Sequence, residues 1–438
     1  MTARQFGPRL RQAIASTIVT RGWRILWVLA YVWRRLLIRT TFVAITGSLG
    51  KTTAKECVAA CLATRFPTAH ASGNHNAYGR LALAMLRVRP WHRYAVFEVA
   101  AGTPGRIAGR IAVVRPHVAI VLCIARTHTT AYPSLEAIAA EKARLLHALR
   151  PGGLAVLNAD DPRVATLAPP AGCAVRRFGT VAAAEVRGDP IPTCWPDRFS
   201  LQASVAGEMQ TVQTQLVGEH WMPAVLAALT VATHAGVPLG EAAAALRRMP
   251  PLQGRMQPVR VPSGAIVLRD DYNASVDTLE PALRVIAGAA GTRRIVLVTD
   301  FSDFGKSRRH RMRYLAPIVA RSADVAVFVG EGAAFLGRRA VEAGMAPERV
   351  HHFRALEEAA RFLRSELGPG DLLLLKGRTT DHATRVFHAL LGPIQCWKPK
   401  CLIRTSCDRC WQLGARRTDS RRALPVLPPG PERTVTPV

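Results

Sequence analysis

The chain has 438 residues, with 59 Lys and Arg against 30 Asp and Glu, a net charge of +29 and a pI of about 11.2. A hydrophobic content of 49% and a mean hydropathy of +0.10 exclude a disordered chain, and the length supports roughly two or three domains with real cores. So basic a balance suits nucleic acid, an anionic membrane surface or polyanionic substrates, or else a solvated arginine-rich surface. Only seven residues are Lys, so Lys51, Lys142, Lys306 and Lys376 stand out as places where a compact, titratable amine is needed. The nine Cys do not form a disulfide framework; Cys57, Cys61, Cys123, Cys173 and Cys194 lie in apolar segments and read as buried free thiols. With no cleavable secretion signal, the expected compartment is the reducing cytoplasm.

Residues 1–41 hold eight Arg and no acid, around Trp23-Arg-Ile-Leu-Trp-Val-Leu-Ala-Tyr-Val-Trp-Arg-Arg35. The apolar run is too short for a span, which needs about twenty residues. A basic amphipathic helix with three Trp suits the headgroup region of the cell membrane's inner face; the alternative is a helix packed on the following domain. Phe42-Val-Ala-Ile-Thr-Gly-Ser-Leu-Gly-Lys-Thr-Thr53 comes next. A buried strand stops at Gly47, turns through Gly50 and opens a helix over 52–64. Strand, glycine turn and helix N-terminus make a phosphate cradle, in which Lys51 reaches phosphates and Thr52 suits Mg²⁺. The spacing departs from the common P-loop, which has Gly where this chain has Ile45.

Over 42–252 the pattern alternates strands (94–99, 118–124, 154–158) with helices (134–149, 220–235), which predicts an α/β domain with a mostly parallel sheet. Pro250-Pro-Leu-Gln-Gly254 marks a boundary. Residues 253–392 restart the alternation, with strands at 265–268, 294–299, 324–329 and 371–376, as a smaller Rossmann-like α/β domain. Residues 393–438 form a Cys-containing basic tail, and its end from about Arg416 reads as disordered. The predicted fold class is therefore α/β, a central P-loop ATPase domain followed by a second, smaller α/β domain.

Strand ends in an open α/β sheet face the ligand crevice. Glu98 ends one strand, His128 follows another, Lys142 lies on the next helix, and Asn158-Ala-Asp-Asp161 ends a third. Each alone reads as an ordinary surface residue; after a phosphate loop, in this order, they read as one site.

These residues resemble the Mur ligase superfamily, most of all its MurF branch. The resemblance is carried by Thr46–Thr53, Gly73-Asn-His-Asn76, Glu98, His128, Glu141-Lys142, Leu157–Asp161, Gly218-Glu-His220, Gly254-Arg255, Asp270-Asp-Tyr-Asn-Ala274, Asp303-Phe-Gly305 with His310, and Lys376-Gly377. It implies an ATP-dependent peptide ligase of cell-wall synthesis that activates a carboxylate as an acyl phosphate for attack by an amine. It implies ATP on Gly47, Ser48, Gly50, Lys51, Thr52 and Thr53, with Asn158 and Asp161 near adenine, Arg255 on the phosphates and Asp270 on the ribose. It implies Mg²⁺ at Thr52, Glu98, His128 and Lys142, with Lys142 carbamylated and Lys51, His128 and Lys142 catalytic. A carbamate requires Lys, since Arg cannot form one.

The chain departs from the branch in three places. About forty residues precede the phosphate strand, too few for a UDP-sugar domain. His220-Trp221 replaces His-Asn, and Thr299-Asp-Phe301 replaces Gly-Asp-Met. The carboxylate and amine substrates therefore stay open, small-molecule or lipid-linked. Poly-γ-glutamate or cyanophycin-type ligation, an amidating subunit with a glutaminase partner, and an inactive membrane-docked ATP-binding scaffold remain alternatives. Nucleic acid is not expected, for want of a motif. Finally, Cys396, Cys401, Cys407 and Cys410 offer the ligands of a tetrahedral Zn²⁺ site; free thiols or a redox pair are the alternatives.

Overall fold

The computed structural model describes residues 23–71, 78–100, 102–126, 131–289, 293–300, 308–399, 401 and 406–414. Helix α1 (23–36) leads into β1 (Thr41–Thr46), α2 (Lys51–Leu62), β2 (Thr68–His70), α3 (Tyr78–Leu86), β3 (Tyr94–Glu98), α4 (Arg106–Val114) and β4 (Val118–Val121). Then follow α5 (Leu135–His147), β5 (Leu154–Asn158), α6 (Pro162–Ala165), β6 (Ala174–Gly179), β7 (Val186–Ile191), β8 (Ser200–Val205), β9 (Glu208–Gln213), α7 (Met222–His234) and α8 (Leu239–Arg248). These strands form one nine-stranded sheet in the order β2-β3-β1-β4-β5-β6-β7-β8-β9, parallel as far as β7 and antiparallel beyond it.

The apolar run of β1 is buried on both faces because helices cover both. Its side chains alternate. Val43 and Ile45 pack with Val58 of α2 and Val225 and Leu229 of α7. Phe42 and Ala44 pack with Trp27 and Ala30 of α1, Leu81 and Met85 of α3, and Ile107 and Ile111 of α4. Helix α7 is apolar nearly all round, which fits a helix buried between the sheet and α2.

A second, six-stranded sheet is built from β10 (Gln257–Arg260), β11 (Ile266–Asp270), α9 (Val276–Ala287), β12 (Arg294–Val298), α10 (Arg308–Ser322), β13 (Val325–Val329), α11 (Ala333–Glu342), β14 (Val350–Phe353), α12 (Leu356–Glu366), β15 (Leu372–Lys376) and α13 (Thr384–Leu391). Its order is β10-β11-β15-β12-β13-β14, antiparallel only at β10.

Two expectations need correction. Residues 174–213 do not alternate strand with helix; they run β6 to β9 without one, and β7 to β9 form an antiparallel meander. Of the five thiols expected to be buried, Cys57 and Cys61 are, Cys123 and Cys173 are half-buried, and Cys194 is exposed.

Candidate functional site

The strand-to-helix turn after β1 is built on two glycines. Gly50 sits at φ +76° as the left-handed residue before α2, and no side chain caps that helix. Its first N–H groups are thus left for an anion, with the helix dipole behind them. Gly47 has φ +154°, and a Cβ there would meet Leu122 Cβ at 2.9 Å. The turn is stitched to the segment after β4: Ser48 N donates to Cys123 O (2.8 Å), and Ser48 Oγ accepts from Ala125 N (2.9 Å). Lys51 Nζ folds back over the loop, donating to Gly47 O (2.8 Å) and Ser48 O (3.0 Å). Burial lowers the Lys51 pKa, and the Glu98 charge opposes this.

Thr52 in the first turn of α2 meets Glu98 at the end of β3. Thr52 Oγ1 donates to Glu98 Oε2 at 2.8 Å, both side chains being buried. An arginine from the far unit joins them: Arg255 Nη2 donates to Thr52 Oγ1 at 3.2 Å, with its guanidinium over the Tyr272 ring. Asp270 ends β11 in register with Lys376 on β15, and Lys376 donates to its carboxylate. Burial pushes the Asp270 pKa up and that of Lys376 down, each opposed by the other's charge. Lys51, Thr52, Glu98, Arg255, Asp270 and Tyr272 line one cleft of about 630 Å³ between the two sheets, with Ser48, Leu49, Gly50, Arg110, His220, Asp277 and Arg378, while Lys376 lies buried behind Asp270. His220 is half-buried, and its pKa is pushed down to about 3 by desolvation and by Lys376, so the ring is neutral.

Lys142 lies on α5, a helix capped by Ser134, whose Oγ accepts from Ala137 N at 3.2 Å. Its side chain is 4% exposed, and its pKa is pushed down to about 7 by burial and then by Lys51. Thr53 is buried on α2 with its hydroxyl unpartnered. His128 lies outside the described residues, as do residues 73–76 and 303–305 of the sequence motifs.

Asn158 and Asp161 are engaged by backbone. Asn158 Nδ2 donates to Leu122 O (2.8 Å). Asp161 accepts from Ile124 N (2.6 Å), Arg163 N (3.0 Å) and Val164 N (3.2 Å), capping α6. Neither lines the cleft. The sequence reading missed Arg110, Asp277 and Arg378, and quoted Tyr272 within the Asp270–Ala274 motif without giving it a role. Arg378 adjoins the quoted Lys376-Gly377; nothing in the sequence marked Arg110 on α4.

The four C-terminal Cys do not assemble as ligands. Among the described residues no group of three or more His, Cys, Asp or Glu is placed to hold a metal ion. Cys396 and Cys407 pack instead with Leu413 and Ile394, and Cys407 Sγ lies 3.3 Å from His382 Nδ1. Burial pushes the Cys407 thiol up to about 11, as for a thiol packed in an apolar pocket.

Comparison with known proteins agrees with this geometry. The Mur ligase middle domain matches residues 45–232, and the Mur ligase glutamate ligase domain matches residues 254–379. The UDP-N-acetylmuramoyl-tripeptide–D-alanyl-D-alanine ligase of Mycobacterium tuberculosis is 30% identical over 379 residues, covering 81% of this chain and 74% of that enzyme. MurF from Acinetobacter baumannii superposes with a TM-score of 0.76 at 24% identity, over 84% of this chain and 80% of its own. MurF from Thermotoga maritima, solved in complex with ADP, gives 0.71 at 21% identity, over 84% and 83%. The chain thus belongs to the Mur ligase family of ATP-dependent peptide ligases, among relatives of the MurF type.

Proposed function

We propose that this chain joins a peptide carboxylate to the amine of a D-alanyl-D-alanine-like dipeptide in peptidoglycan synthesis, as the name of its mycobacterial relative describes. The observation that carries this is the cleft in which Lys51, Thr52 and Glu98 face Arg255 and Asp270 of the second unit. Residues 42–252 act as the ATP-binding domain, 253–392 as the closing domain, and 393–438 as an appended tail.

The substrate carboxylate attacks the γ-phosphorus of ATP; ADP leaves and an acyl phosphate forms. The amine then attacks the carbonyl carbon, phosphate leaves with the bonding pair, and the nitrogen loses a proton. The free N–H groups of α2 and the Lys51 ammonium bind the β- and γ-phosphates and neutralise charge on the transferring group. Thr52 and Glu98 offer oxygens on one side of those phosphates, which fits Mg²⁺. Mg²⁺ there supplies charge stabilisation to the phosphoryl oxygens. His128 and Lys142, once carbamylated, would hold a second ion. The neutral amine needed to take up CO₂ is available because the Lys142 pKa is about 7. Asp270 receives the ribose hydroxyls through its free lone pairs. Asn158 and Asp161, engaged by backbone and set behind the cleft lining, hold the segment after β4 on the adenine side without touching the base. Arg255 follows the phosphates as the units close and water is excluded.

The test is phosphate release from ATP with Mg²⁺ and bicarbonate across paired substrates: UDP-muramoyl tripeptide, lipid-linked precursors and poly-γ-glutamate as carboxylates, and D-alanyl-D-alanine, glutamate and ammonium as amines. The expected result is release only when tripeptide carboxylate and dipeptide are both present. Lys142→Arg is expected to lower turnover by about a thousandfold or more while ATP still binds. Release with ammonium in place of the dipeptide would instead point to an amidating subunit. ATP binding with no pair active would point to a scaffold.

A further inference from the structure

Helix α1 packs with one face only. Trp27, Ala30, Arg34 and Leu37 are buried against the sheet side. Arg34 is pinned there by Val114 O (2.7 Å) and Arg115 O (2.8 Å), and Trp33 Nε1 donates to Val88 O (2.8 Å). The opposite face leaves Ile25 61%, Val28 61%, Leu29 50%, Val32 49% and Leu36 65% exposed. At a helical repeat these five fall within an arc of about 100°. The stripe continues past the helix through Ile38 (82%) and Trp91 (69%). The turn carrying Trp91 is tied to that end by Thr40 Oγ1 donating to His92 O (2.8 Å) and Thr41 N donating to Arg93 O (2.8 Å). Scattered exposed apolar residues are ordinary, but a contiguous stripe marks a contact surface.

Its surroundings have one sign. Arg24, Arg35, Arg39, Arg87, Arg89 and Arg93 are exposed around the stripe. Residues 1–135 hold nineteen Lys and Arg and only two acids. Glu98 is buried, and Glu56 is held by Lys55 and His70. An isologous pairing of two copies would bring these arginines together with no acid between them. Among the described residues no helix is long and apolar enough to cross a membrane.

We propose that the outer face of α1, with Ile38 and Trp91, docks in the plane of an anionic lipid bilayer, its aliphatic side chains among the upper acyl segments and its arginines on lipid phosphates. This rests on the ligase reading for one point alone: docking keeps the enzyme at the surface that carries a lipid-linked carboxylate substrate. Binding itself requires no ligation.

The experiment is co-sedimentation of the full chain with vesicles of phosphatidylcholine alone or mixed with phosphatidylglycerol. The expected result is binding to the anionic vesicles only, weakened about tenfold or more by high salt. Leu29→Glu combined with Val32→Glu is expected to abolish it, with ATP binding unchanged as the control for folding. Absence of binding to anionic vesicles, equal binding to neutral ones, or binding untouched by the double variant overturns the proposal. So does a dimer in solution that the same variant dissociates, since the face then belongs to a second copy. Vesicle binding without ligation would leave this proposal standing and sink the ligase reading; ligation without vesicle binding would do the reverse.

Discussion

Lys142 shows how one residue's chemistry is set by its surroundings. In a chain with seven Lys among 59 basic residues, this one is buried on α5 with its pKa near 7. An ordinary lysine is almost wholly protonated at neutral pH and does not react with CO₂; this one is about half neutral. Held at constant dissolved CO₂, carbamate on Lys142 should therefore rise with pH through about 7. Carbon NMR of protein equilibrated with ¹³C-bicarbonate should show one protected carbamate signal following that curve, and Lys142→Arg should lose it. A signal unchanged in Lys142→Arg would assign the carbamate elsewhere. The residue type was legible because Lys is scarce here. Its low pKa was not, because that depends on burial and on the Lys51 charge.

Single elements carry that geometry. Helix α5 begins at Ser134, whose hydroxyl accepts from Ala137 N, and Glu136 lies in its first turn. Ser134→Ala should cost about 1 kcal/mol in urea denaturation, with ATP binding nearly unchanged. A loss of ATP binding out of proportion to that figure would show that the cap sets the Lys142 position rather than only stability. The elements around the phosphate loop were legible because β1, β3, β4 and β5 are buried on both faces and read as unbroken apolar runs. The meander β7 to β9 was not. Val186–Ile191 contains Gly188 and Pro190 and is half exposed, so its pattern imitates a loop. Pro258 hides β10 in the same way, and there the strand lies at a sheet edge, where Pro is tolerated. Arg110 could not be seen at all, since only the approach of α4 to the loop after β3 brings it to the cleft.

At the scale of the whole molecule, the appended segment beyond α13 is fastened to the second unit by a buried charge network. Asp408 accepts from Arg269 Nη1 and Nη2 at 3.0 Å each and faces His388 Nε2 at 3.0 Å. Arg269 also binds Asp271, beside the Asp270 of the cleft. Burial would raise the Asp408 pKa, but Arg269 and His388 outweigh it and hold the carboxylate far below its usual range. The folded pKa is depressed, so this stabilisation is present above the ordinary carboxylate pKa of about 4 and is lost progressively as pH falls below it. Asp408→Asn should lower unfolding stability by about 3–5 kcal/mol at neutral pH and flatten its decline in acid. An unchanged acid limb would place the pH sensitivity elsewhere. The contact between the two units has a different consequence. The Thr52 oxygen that accepts from Arg255 is also the oxygen suited to a divalent cation. Arg255 is thus a tethered counter-ion at Glu98 and Thr52. On the proposed function, loading a metal–nucleotide complex there would be an ion exchange: the incoming cation would repel the guanidinium, and the arginine released would already stand beside the phosphates it is to follow.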